Sequence, residues 1–242
     1  WQALAGLLEE EAAADGSPAR NGTMLRRLGD LHAERTGRWS DAIASYALAC
    51  EQGDAKAPAG LIAVVEKLDP ASADEREAFV AAVSALTRTF TERDDWQALL
   101  DLTDWRISAA ASPAEEVVVL RTAADLWENR GHDAGAAFDA VLRAFERAPG
   151  AELAEEVRRL VGLAGRYEAL SPRLLTIVDQ APDLPPAAVR DLFWDLARYF
   201  RDTACEVAAA EAALRRALAA DPRNVTLHEE LRDLLRGTPS RA

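Results

Sequence analysis

Carboxylates are the commonest chemically active groups in this chain, and several stand close together: Asp94-Asp95, Asp101 with Asp104, Glu115-Glu116 and Glu155-Glu156. Two carboxylates can divide general acid and base work when a cleft holds them and drives their pKa values apart. With 41 acidic residues such pairs arise by chance, and an acid at a helix start is accounted for by capping. His32, His132 and His228 are scattered, and no HExxH motif gathers them for zinc. His32 is expected in a core and His132 in a solvent-facing turn. Cys50 and Cys205 lack CxxC spacing and read as small buried residues of a reduced protein. The sequence holds no Gly-rich phosphate loop, no GxSxG elbow and no SxxK pair. The chain is therefore expected not to be an enzyme, and to need no cofactor and no metal.

Charge and hydropathy narrow the partners. A formal charge of −13 repels phosphate backbones, so no nucleic-acid partner is expected. Arg158-Arg159 and Arg215-Arg216 are isolated basic pairs, each within a turn of acids. No apolar run reaches the roughly 18 residues that a membrane helix needs, so no membrane span is expected. Hydrophobic residues make up 49% and charged residues 29%, a globular composition. Ala and Leu dominate the apolar set and β-branched residues are sparse, which favours helix over strand. The chain opens at Trp1 and not at Met, and reads as a piece of a longer, cytoplasmic protein.

An internal repeat organises the rest. Trp1-Gln2-Ala3-Leu4 returns as Trp96-Gln97-Ala98-Leu99, an offset of 95 residues (96 against 1). At the same offset Ser17-Pro18-Ala19 matches Ser112-Pro113-Ala114, and Asp30-Leu31 matches Asp125-Leu126. A more diverged third copy opens at Tyr167-Glu168-Ala169-Leu170. Each copy contains a predicted helix–turn–helix. The first carries Leu28-Gly29, His32, Ala42, Tyr46 and Ala49; the second, Ala123-Ala124, Trp127, Ala137, Val141 and Ala144; the third, Leu196-Ala197, Phe200, Ala210, Leu214 and Ala217. The step from the bulky residue of the first helix to the next small one is constant, and so are the steps of four and three that follow.

These residues resemble the tetratricopeptide repeat, which pairs a Leu-Gly and an aromatic on one helix with Ala, an aromatic and Ala on the next. Small residues let two antiparallel helices approach, and large ones fill the space between neighbouring pairs. Two departures stand out: the turn is one residue longer in all three copies, and extra helices separate the matching pairs. The resemblance implies an all-α, right-handed superhelical solenoid of antiparallel helix pairs with about 13 helices. It implies a single domain over 1–242, with units of about 1–95, 96–166 and 167–242. It also implies a protein-interaction scaffold whose first helices line a concave groove for a peptide or helix of a partner. The groove positions would fall on Arg26, Asp30 and Ala33 in the first copy and on Arg121, Asp125 and Glu128 in the second. In the third they would fall on Trp194, Arg198 and Arg201. Arg26 with Asp30, and Arg121 with Asp125, would also serve as helix-stabilising i,i+4 pairs without any partner. Trp194 could anchor a partner, or pack on Leu184-Pro185-Pro186. The alternative function is a structural spacer that self-associates through its repeat ends. Trp1 and Trp96, which recur, are expected to staple each unit to its neighbour, and Trp127 is expected in the core. The helix at Tyr167 is expected to be short or broken, because Ser171-Pro172 reads as a fresh start.

Overall fold

Helix starts are written into the sequence by Ser, Asp and Pro, and the computed structural model follows them over residues 1–13 and 17–237, which are the residues it describes. The expected end of the first helix at Ala14 lies outside those residues. The described residues are 80% helical and contain no strand. The chain divides into two compact units, Trp1–Glu115 and Glu116–Ala242.

The first unit holds α1 (Gln2–Ala13), α2 (Pro18–Leu31), α3 (Trp39–Glu51), α4 (Ala57–Val65), α5 (Arg76–Glu92), α6 (Trp96–Asp101) and α7 (Thr103–Ala109). Ser17 caps α2, its hydroxyl accepting from the Arg20 N–H, with Pro18 at the first helical position. Asp95 caps α6 in the same way, through the Ala98 N–H. Each helix packs on the next, and α2 on α4 and α3 on α5 pack one further along. The core of the unit gathers Ile43 and Tyr46 of α3, Leu61 and Val65 of α4, and Phe79 and Leu86 of α5.

The second unit takes α8 (Pro113–Leu126), whose first turn lies before the boundary, then α9 (Ala134–Arg147), α10 (Ala151–Ala164), α11 (Tyr167–Gln180), α12 (Pro186–Asp202), α13 (Val207–Ala220) and α14 (Val225–Gly237). Here too packing runs to the next helix and the next but one: α9 meets α10 and α11, and α12 meets α10 and α11. Alternate helices form two rows, α8–α10–α12–α14 and α9–α11–α13, each stitched along its length by ion pairs. Arg173 reaches Glu146 and Arg216 reaches Asp179 in the second row.

The longer turn has a structural cause. Helix α2 ends in a π-helical turn, His32–Thr36, and α8 in another, Trp127–Gly131. A π turn holds one more residue than an α turn, and so absorbs the insertion. Five residues after His32, Trp127 and Phe200 the backbone turns left-handed, at Gly37, His132 and Cys205 with φ of 64°, 51° and 56°. The following N–H in each case donates back to the carbonyl of His32, Trp127 or Phe200, at 3.2, 3.0 and 2.8 Å. The three copies thus share a turn as well as a spacing.

The extra helices are pairs in their own right. In α5, Ala82, Leu86 and Thr89 are buried, and in α11 Leu170, Leu174 and Ile177 are buried. Both sets repeat the steps of four and three found in α3, α9 and α13. Helix α11 is continuous through Pro172, against the expectation of a break; buried Leu170 and Leu174 flank the proline and hold the helix to its neighbours. The Trp96 helix is instead the one that divides, at Leu102, so fourteen α-helices among the described residues replace the expected thirteen.

Several single-residue expectations can now be placed. His32 is buried and His132 exposed, as expected. Cys50 is buried, but Cys205 is exposed because it occupies the left-handed turn, and both are free thiols. Trp1 is 64% exposed, with the Arg35 guanidinium over its ring at 5.0 Å. Trp127, which opens the second π turn, is half-buried and not fully in the core.

Candidate functional site

Each residue expected in a groove lies on the first helix of a matched pair, and each is engaged by its own chain. In the first unit Arg26 donates to Asp30 at 3.2 Å and to Asp54 at 3.4 Å. Asp54 in turn accepts the N–H groups of Lys56 and Ala57 at the start of α4. Asp30 accepts from the Tyr46 hydroxyl at 2.8 Å. Burial, and then the Asp30 carboxylate, hold the Tyr46 phenol well above its usual range, so it stays a donor. The Tyr46 ring lies between two glycines: a Cβ on Gly29 of α2 would come within 2.7 Å of it, and one on Gly60 of α4 within 2.4 Å. Arg26 and Asp30 therefore tie α2, α3 and α4 together around that ring.

The second unit brings Arg121, Asp125, Trp194, Arg198 and Arg201 onto one row. Arg121 of α8 pairs with Glu156 of α10 and lies 3.7 Å from Glu152. Asp125 accepts from Asn129 at 2.7 Å, so it does not form the expected pair with Arg121; Glu156 has taken the guanidinium. Glu128 pairs with Arg159 of α10, and that hydrogen bond keeps the carboxyl below the usual glutamate range. Arg158 of α10 reaches forward to Asp195 at 2.8 Å and to Asp191 at 3.3 Å, both on α12. Arg201 and Arg198 of α12 reach Glu230 of α14 at 3.2 and 3.5 Å. The row is thus a ladder of charges of both signs running from α8 to α14.

Hollows interrupt the second unit. Between α8 and α10 a polar cleft of about 230 Å³ has Arg121, Asp125, Glu128, Glu156 and Arg159 around a floor that includes Leu160. An apolar hollow of about 320 Å³ lies among α11, α12 and α13, over Phe193, Phe200 and Ala213. Trp194 is half-buried: the Arg198 guanidinium covers its ring at 4.5 Å, and its indole N–H is shut from solvent without a hydrogen-bond partner among the described residues. That stack is a cation–π contact.

Sequence reasoning singled out residues on α8 and α12 of this row and missed α10 between them. Glu156, Arg158 and Arg159 sit on α10, whose partner helix α11 carries Leu170 and Ile177 where the matched pairs carry alanines. The steps of four and three at Leu170, Leu174 and Ile177 were the available signal. Among the described residues no group of three or more His, Cys, Asp or Glu could hold a metal ion, and no helix is long and apolar enough to cross a membrane. Comparison with protein-family models and with curated proteins gives no match.

Proposed function

We propose that this chain is a tetratricopeptide-like scaffold of the cytoplasm, built as a helical solenoid, that binds a peptide or helix of a partner protein. The binding face is the α8–α10–α12–α14 row. The carrying observation is the open cleft between α8 and α10, rimmed by both signs of charge, with Trp194 and Arg198 further along the same row. Trp and Arg are the residue types enriched where binding energy concentrates. The arginines keep substantial exposure, 44% for Arg121 and 49% for Arg198. A partner carboxylate can exchange with Glu156 or Glu230 at little net electrostatic cost, since exposed pairs contribute only about 0–1 kcal/mol. Peptides selected by display against the immobilised chain test this. Arg121→Ala and Trp194→Ala should each weaken the selected peptide by about tenfold, with circular dichroism unchanged. Selected peptides indifferent to both substitutions would refute the reading.

A second reading, a structural spacer of a longer helical stack, is favoured by where large apolar side chains are exposed. Trp1, Leu4 and Leu7 lie on or beside α1, and Val225 and Leu235 lie on α14. That reading expects self-association or apolar end contacts, which sedimentation over a range of concentrations would detect.

A further inference from the structure

The apolar hollow among α11, α12 and α13 opens at a position that other helices of the repeat fill. Ile43 of α3, Val83 of α5 and Phe138 of α9 each follow directly on the residue that opens the steps of four and three. They are 5%, 2% and 0% exposed. Helix α11 carries Ser171 there. Four residues further on, Leu142 of α9 is 0% exposed, whereas Leu175 of α11 is 39% exposed. The facing wall on α13 is built from Ala209, Ala212 and Ala213, whose methyl groups do not make up the lost volume. Helix α3 packs on α5 and α9 on α11, but α11 does not pack closely on α13. Arg216 of α13 instead spans to Asp179 of α11 at 3.5 Å. Both walls and the floor are described helices, so the gap is internal to the unit and set by side-chain size.

What fills the equivalent place in α9 defines what fits the hollow: the ring of Phe138. The hollow measures about 320 Å³. An apolar cavity of roughly 150 Å³ already admits benzene, so a ring with a short side arm has room here. Phe193 and Phe200 form the floor, and an aromatic guest gains there beyond the area it buries. Electrostatics selects the arm. Arg216 is the charged residue of the lining, and its side chain is 51% exposed. An exposed pair such as Arg216 with Asp179 contributes little, so an incoming carboxylate can share or take the guanidinium. We infer that this hollow binds a small arylalkanoic acid, its ring on Phe193 and Phe200 and its carboxylate on Arg216. None of Arg121, Asp125, Trp194, Arg198 and Arg201 lines it, so this site and the charged row can fail independently.

Amide-resolved NMR titration of the whole chain with hydrocinnamate tests this. Saturable shifts are expected at amides of α11, α12 and α13. Ser171→Phe, which places the α9 residue in α11, should abolish them and raise the melting temperature. Ser171→Ile, the α3 residue, fills the hollow with a smaller side chain and should abolish them too. It keeps the test sound if the phenyl ring overpacks the site. Arg216→Gln should weaken the acid by about tenfold and leave the neutral hydrocinnamamide unchanged. That amide should bind the wild type about tenfold more weakly than the acid does. Shifts that do not saturate or that fall outside these helices would overturn the inference. So would binding that survives both Ser171 substitutions, equal binding of acid and amide, or tighter binding of straight-chain hexanoate.

Discussion

Tyr46 shows how one side chain sets the residue types around it. Its ring needs Gly29 on one side and Gly60 on the other. In the other matched pairs the positions of Gly29 and Tyr46 are held by Ala124 with Val141 and by Ala197 with Leu214, all of them buried. A methyl gained on the first helix goes with volume lost on the second, as close packing requires. Gly29→Ala should therefore overpack the first pair by about 1–3 kcal/mol in urea unfolding. The same substitution should cost clearly less in a Tyr46→Val background, and equal costs in the two backgrounds would refute the contact. Glu128 carries a pH signature. Its folded pKa is lowered by the Arg159 hydrogen bond, so its contribution is complete above the ordinary glutamate pKa and is lost as pH falls through the depressed folded value. Stability of the wild type should fall through that acid window more steeply than that of Glu128→Gln, and parallel pH profiles would show the pair contributes nothing.

The turn between paired helices is the element that the sequence announced without explaining. A constant ten-residue step was visible, and so was the extra residue, but neither shows that a π turn and a left-handed residue absorb it. Glycine fills the left-handed position at Gly37, whereas His132 and Cys205 adopt it with a Cβ. His132→Gly and Cys205→Gly should each raise stability by about 0.5–1 kcal/mol. Gly37→Ala should lower it by about 1 kcal/mol, and thermal unfolding of the three variants checks the signs. Helix positions were legible because Ser17, Ser112, Asp95 and the proline starts are local signals. Pairing within α4/α5 and α10/α11 was harder to read, because the steps of four and three recur there with Thr89, Leu170 and Ile177 in place of the alanines that mark the matched pairs. Arg26, Asp30, Arg121, Asp125, Trp194, Arg198 and Arg201 fall on the first helices of the matched pairs, α2, α8 and α12. The partners Glu156 of Arg121 and Glu230 of Arg201 lie 35 and 29 residues away and became visible only through the fold.

At the scale of the molecule, two compact units each stack helix on helix, mainly between neighbours in the chain, and the second presents a continuous charged row. Such a row suits an extended partner better than a small substrate: its ion pairs can be exchanged one at a time along the length of the partner. Amide hydrogen exchange with and without a display-selected peptide measures this most directly. Protection concentrated on α8, α10, α12 and α14, with α9, α11 and α13 unchanged, is the predicted result. Protection concentrated on the α9–α11–α13 row, or confined to α1, would contradict it.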